Sequence, residues 1–238
     1  MSTKATNREW RTLAADDPLY AIAAWPGKER GGWKRDEFYA EGLREWRDFK
    51  RVWSQYATLG GTCVEIGCGA GRITNGLVDT FEHVVGLDVS DRMIELARRA
   101  VPAARFLEVD GTTIPLEDAE VDAVFTCHVL QHLDTSANVA SYLAEAFRVL
   151  RPGGTAMVHL LLAGPSRSVP RRLMGEARLR ASRMLNANRG AYARVRRYRA
   201  DEVRAMLEAS GFRDVELREF RLLGGTSSPH SFWLGRKP

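Results

Sequence analysis

Apolar and polar positions alternate in two different rhythms that meet near residue 60. Upstream, Tyr39, Leu43, Trp46, Phe49 (or Lys50), Trp53 and Tyr56 recur at three- and four-residue spacing, the repeat of a helix with one apolar face. Trp25-Pro26-Gly27 and Gly31-Gly32-Trp33 punctuate the chain before it as loops. Residues 1–60 are therefore predicted as a helical extension rich in tryptophan, packed on a domain or serving as a flap over its site. From Thr62 short apolar runs alternate with helical repeats. Strands are predicted at Cys63–Ile66, His83–Leu87, Arg105–Val109, Asp122–Cys127 and Thr155–Leu162. Helices are predicted at Arg72–Val78, at Asp91–Ala100 behind a Ser90 cap, and at Asn138–Leu150. Arg151-Pro152-Gly153-Gly154 reads as the stop of the last of these. Asp201–Ser210 is a further helix, and Val215–Phe220 and Ser231–Leu234 are the last two strands. Strands alternating with helices imply an α/β fold, with a seven-stranded, mostly parallel sheet covered on both faces.

Composition narrows the class. A chain of 238 residues, 45% hydrophobic and 27% charged, has the balance of a globular domain with additions. Residues 61–238 are read as that domain, with a helical insertion over 165–199. No apolar run approaches the roughly 18–20 residues that span a membrane, and Met1–Asp17 lacks the apolar core of a secretion signal. The three cysteines, Cys63, Cys68 and Cys127, are expected as reduced thiols in a cytoplasmic protein. They form no closely spaced Cys or His couples, so a structural zinc site is not expected.

Charge is unevenly placed. The net charge is +5, yet Arg167–Arg199 carries eleven arginines against one acid, Glu176. That segment is about +10, which leaves the rest of the chain near −5. It suits an anionic acceptor, a solvated helix face, a homodimer contact or, less well given its few aromatics, RNA.

The chemistry centres on Val64-Glu65-Ile66-Gly67-Cys68-Gly69-Ala70-Gly71-Arg72. Alternate glycines let the backbone turn tightly and leave no side chain between loop and ligand. Such a loop at the end of a first strand suits a nucleotide-type cofactor. The spacing is not the G-x-G-x-x-G of nicotinamide dehydrogenases, because Arg72 stands where their third glycine would be. Glu65-x-Gly67-x-Gly69-x-Gly71 resembles motif I of the class I S-adenosylmethionine-dependent methyltransferases. Gly86-Leu87-Asp88-Val89-Ser90, Val109-Asp110-Gly111, His128-Val129-Leu130-Gln131-His132-Leu133 and Phe147–Gly154 follow in the order of that family.

The resemblance implies a Rossmann-like fold, S-adenosylmethionine as cofactor, and a set of contacts to it. Glu65, Gly67, Cys68, Gly69, Gly71 and Arg72 would surround the methionine end. Asp88 would accept from the ribose hydroxyls, Val89 and Met93 would sandwich the adenine, and Asp110 and Gly111 would meet its edge. Cys127 and His128 would complete the cofactor site. His132 or His128 is the expected general base, with Trp33, Tyr39, Gln131 and His132 facing a small-molecule acceptor methylated on oxygen or nitrogen. His159 and His230 are read as structural. The fourth strand lacks the acid used by metal-dependent catechol-type enzymes, so the reaction is expected to be metal-independent. An RNA or protein acceptor, and a cofactor-binding regulator without catalysis, are the competing readings.

Overall fold

A computed structural model describes residues 3–25, 27–163, 195–222 and 229–238. Most of the expected insertion lies outside these residues. Three helices open the chain: α1 (Thr3–Asp16), α2 (Pro18–Ile22) and α3 (Arg35–Trp53). Strands β1 (Thr62–Ile66), β2 (His83–Asp88), β3 (Arg105–Glu108), β4 (Val121–Thr126) and β5 (Leu150–His159) then alternate with α4 (Thr74–Leu77), α5 (Asp91–Ala100) and α6 (Ser136–Val149). The helix α7 (Ala200–Ala209) precedes β6 (Arg213–Phe220) and β7 (His230–Arg236).

The seven strands form one sheet in the order β3-β2-β1-β4-β5-β7-β6. The five from β3 to β5 are parallel, and β7 runs antiparallel between β5 and β6. On one face α6 and α7 bury Val139, Leu143, Val203 and Leu207 against Val64, Val124 and Val158. On the other, α3 presses Trp46, Phe49, Val52 and Trp53 onto Phe125, Met157 and Phe232. The Trp53 indole also donates to Thr155 Oγ1 at 3.1 Å, so its one polar atom is satisfied inside the core.

Several sequence expectations shift in detail. The buried stripe of α3 runs through Phe38, Gly42, Glu45, Trp46, Phe49 and Trp53, which moves Tyr39 and Leu43 to its flank. The helix after the glycine loop is a single turn, Thr74–Leu77. Strand β5 begins at Leu150, five residues earlier than expected: Leu150 pairs with Val121 before the register slips and Thr155 takes up pairing with Ala123. The Pro-Gly-Gly run ends α6 as expected, but an irregular stretch of strand absorbs it.

Candidate active site

Strand order places the site. Strand β1 sends its connection to β2 on one side, while β4 lies on the other, and a crevice opens where the direction reverses. Three loops meet there: Gly67–Gly71 after β1, Val89-Ser90 after β2 and Cys127–His132 after β4. A cavity of about 370 Å³ lies between them, within the usual range of about 300–1,000 Å³ for a small-molecule site.

Glu65, the fourth residue of β1, is 4% exposed and faces the cavity. Burial raises its pKa to about 8, against the opposing effect of the Thr74 hydroxyl and Arg72. Thr74 Oγ1 donates to it at 2.5 Å. Gly67, Gly69 and Gly71 all have positive φ, at 73°, 54° and 83°. A Cβ at Gly67 would lie 2.2 Å from Val129 Cγ2, and one at Gly69 would lie 2.8 Å from Ile22 Cδ1. The loop is thus clasped between the segment after β4 and α2. Asp88 ends β2 with one oxygen accepting from the Gly69 amide and the other from Ser90, each at 2.9 Å. Both oxygens keep a lone pair for a ligand. Its pKa is raised, chiefly by burial.

The cavity is lined by Glu65, Gly67, Cys68, Gly69, Arg72, Asp88, Val89, Met93, Cys127, His128, Gln131 and His132, all of them expected site residues. Five other expected residues stand off it. Gly71 packs its backbone on α5, where a Cβ would meet Ala97 at 3.4 Å. Asp110 is exposed, and its carboxylate closes its own turn, accepting from the amide and hydroxyl of Thr112 at 2.9 and 2.6 Å. Those bonds lower its pKa. Gly111 meets Asn7 of α1, and Val109 and Thr113 line the cavity in place of this pair. Trp33 is buried, with its indole donating to Ala23 O at 2.8 Å. The Tyr39 hydroxyl donates to Ala70 O at 2.9 Å and so braces the glycine loop from behind.

Arg72 lines the cavity and also carries a buried ion pair. Its guanidinium pairs with Glu45 of α3 at 2.6 Å, with both side chains almost fully buried, and lies 5.4 Å from the Trp25 ring centroid. It ties the glycine loop to the N-terminal helices. The N-terminal region also supplies lining residues that sequence reasoning missed: Trp10 of α1, Ala21 and Ile22 of α2, and Ala24 after it. Trp10 meets the His132 ring edge-on at 5.1 Å. Tyr142 and Val195 complete the lining. Nothing in the polar leader marks Trp10 as a site residue, because its position depends on where α1 docks.

The segment after β4 is the most unusual part. His128 has φ +61°, a left-handed conformation uncommon for a side chain of its size. Its ring is 4.4 Å from that of His159 and 5.2 Å from that of His230. Burial, then the neighbouring histidines, hold its pKa well below the ordinary histidine value. His132 lines the cavity, with Gln131 Nε2 at 3.3 Å from its Nε2. Gln131 is 5% exposed, and its Oε1 has no partner.

Residues 64–158 match the family described as "Methyltransferase domain". This segment is a methyltransferase domain, of the class I, S-adenosylmethionine-dependent type. The chain is 32% identical over 130 residues to a probable S-adenosylmethionine-dependent methyltransferase of Mycolicibacterium smegmatis, covering 51% of this chain and 49% of that protein. It is 28% identical over 185 residues to a demethylmenaquinone methyltransferase of Tropheryma whipplei, covering 73% and 74%. The chain thus spans about half the length of the first of these relatives. In structure, an S-adenosylmethionine-dependent methyltransferase of Leishmania major aligns with 98% of this chain and 82% of its own, at a TM-score of 0.68 and 15% identity. The cofactor of the methyltransferase domain is S-adenosylmethionine. The Asp88 lone pairs, the side-chain-free loop and the unpaired Gln131 oxygen in the cavity wall all suit it. Among the described residues no helix is long and apolar enough to cross a membrane.

Proposed function

We propose that this chain methylates an oxygen or nitrogen of a small-molecule acceptor, with an anionic acceptor favoured. One observation carries the reading: the cavity is continuous from Glu65 and Asp88 to Gln131 and His132, and α1 and α2 close it. Glu65 and the loop amides hold the amino-acid end of the cofactor, Asp88 its ribose, and Val89 and Met93 its adenine. When bound, the cofactor supplies an activated methyl group on sulfonium. The chain's own contribution is to orient, to exclude water and to take a proton. Orientation alone is worth about 7–11 kcal/mol in favourable cases.

His132 is the proposed base. The Gln131 amide beside Nε2 and the edge of Trp10 fix the ring plane. The described end of the arginine-rich segment reaches the cavity. Val195 lines the cavity, and Arg196 anchors beside it through its amide to Gln131 O at 2.7 Å and its guanidinium to Asp134 O at 2.5 Å. The demethylmenaquinone methyltransferase of Tropheryma whipplei takes a small acceptor by its name, which favours that class over RNA. The rest of the arginine-rich segment, Arg167–Arg194, lies outside the described residues.

Two variants test the reading. Asp88→Ala removes an acceptor of charge-assisted bonds worth about 1.5–3 kcal/mol each, so S-adenosylmethionine binding weakens about 10- to 100-fold in a calorimetric titration. Wild-type affinity in that variant would remove the cofactor assignment. His132→Ala retains cofactor affinity and lowers kcat by about 10²–10⁴-fold against an acceptor found by labelled-methyl screening of acidic metabolite fractions. An unchanged kcat would exclude His132 as the base.

A further inference from the structure

Cys127 and His128 follow β4, His159 ends β5, and His230 opens the antiparallel β7. The sheet brings all four to the same end. Among the described residues, Cys127, His128 and His159 form a group whose donor atoms all lie within 4.8 Å of one another. His159 is 0% exposed, and neither of its ring nitrogens has a partner. His230 is 8% exposed, and its Nδ1 is likewise unpaired. A neutral imidazole carries one N–H and one lone pair. Leaving either unmatched inside a protein costs about 1–3 kcal/mol. Phe232, 5.0 Å from the His159 ring, packs beside it without offering a hydrogen bond. Three imidazoles and a thiol at this spacing are poorly explained as packing.

We propose that Cys127, His128 and His159 bind a zinc-type divalent cation in the wall between the cavity and the sheet core. Thiolate and imidazole together suit zinc and exclude magnesium and calcium, which take oxygen. Bonds of about 2.0–2.3 Å in a tetrahedron need donors roughly 3.3–3.8 Å apart, so the three side chains draw in by about 1 Å. On binding, the Cys127 S–H bond breaks, its proton passes to solvent and the sulfur pair forms the bond to the metal. The histidines donate their ring lone pairs. Cys127 and His128 line the cavity while His159 lies behind them, so the fourth position opens toward the cavity. Three protein ligands with one open position are the pattern of a catalytic rather than a structural zinc. The left-handed backbone of His128 then has a reason, since strain of this kind persists where a side chain must be aimed.

The site runs against the expectation of a metal-free reaction drawn from the missing acid after β4. Metal binding does not depend on the methyl-transfer reading. Its use, polarising an acceptor hydroxyl so that His132 takes the proton more readily, does rest on that reading.

The experiment uses untagged full-length protein and zinc in competition with a chromophoric chelator. Wild type is expected to bind one zinc per chain, and His159→Gln to bind it at least 100-fold more weakly. Because His159 stands off the cavity, that variant is expected to keep wild-type affinity for S-adenosylmethionine, which also reports folding. Cobalt in the wild type is expected to give a thiolate-to-metal charge-transfer band. Zinc is expected to slow alkylation of Cys127 at least tenfold, with Cys63 and Cys68 as internal references; this arm stands even if His159→Gln fails to fold. Equal zinc affinity in wild type and His159→Gln, absence of the cobalt–thiolate band, or unchanged Cys127 alkylation would each overturn the site. Zinc bound as described but no cofactor binding would remove the methyl-transfer reading and leave the metal site standing.

Discussion

Glu65 shows how a residue's chemistry depends on what the fold removes from around it. As one letter before a glycine loop it is an acid near a cofactor. Buried at 4% exposure beside Thr74, its pKa rises to about 8 from 4.5. An acid with a raised folded pKa is protonated in the folded state where the unfolded state is already ionised. Stability from Glu65 is therefore present below about pH 4.5 and falls as pH rises toward 8. Cofactor binding is expected to have the opposite slope, because an ammonium of S-adenosylmethionine held by Glu65 would select the carboxylate. An α-amino group titrates only near 7.7–8.0, so between pH 5 and 7 the ligand's charge is constant. Affinity over that window is expected to rise by up to about tenfold per pH unit, and Glu65→Gln is expected to flatten the slope. A flat profile in the wild type would show that Glu65 does not meet the ammonium group. The same residue scale explains Asp110, an acid at the right distance along the chain whose Thr112 and Thr113 neighbours capture its carboxylate locally. Short-range capture of this kind is invisible in motif spacing alone.

At the scale of elements, α3 couples the glycine loop to the core. Trp46, Phe49 and Trp53 fasten it to the sheet, and Glu45 reaches forward to Arg72. Gly42 makes that approach possible, since a Cβ there would lie 2.3 Å from the Arg72 carbonyl oxygen. Gly42→Ala gains about 1 kcal/mol of helix propensity and incurs about 1–3 kcal/mol of overpacking. The net expectation is a loss of up to about 2 kcal/mol, read as a lower denaturant midpoint, together with weaker cofactor binding as the loop is displaced. A raised midpoint would mean that α3 does not rest on this loop. The apolar period of α3 was legible, and Trp46, Phe49 and Trp53 lie on its buried face, but the stripe starts at Phe38 and Gly42 rather than at Tyr39 and Leu43. Large apolar side chains such as Tyr39 and Leu43 draw attention, whereas a glycine and a paired glutamate on the contact face do not.

At the scale of the molecule, the N-terminal residues divide into a layer and a cover. Helix α3 belongs to the core, while α1 and α2 lie over the cavity, with Trp10 at His132 and Ile22 at Gly69. A cover of this kind should respond to the ligand beneath it. In hydrogen–deuterium exchange, S-adenosylmethionine is expected to protect residues 65–71 and 128–133, and amides of α1 and α2 as well. Protection confined to the first two segments would show that the N-terminal helices take no part in holding the cofactor.

Strand and helix positions, the glycine loop, Asp88 and the order of the motifs were readable along the chain, because each depends on neighbours within a few residues. Helix α5 falls at Asp91–Ala100, where its pattern and Ser90 cap place it. Two things were not readable. The docking of α1 over the cavity follows from surfaces more than a hundred residues apart, as in the bond from Thr6 to Asp134. The meeting of Cys127, His128, His159 and His230 follows from strand order and register, which carry three strand ends to one point. Periodicity within each strand says which face a side chain takes. It does not say which other strand will lie beside it, and in this protein that neighbour decides whether a histidine packs in the core or stands among possible ligands.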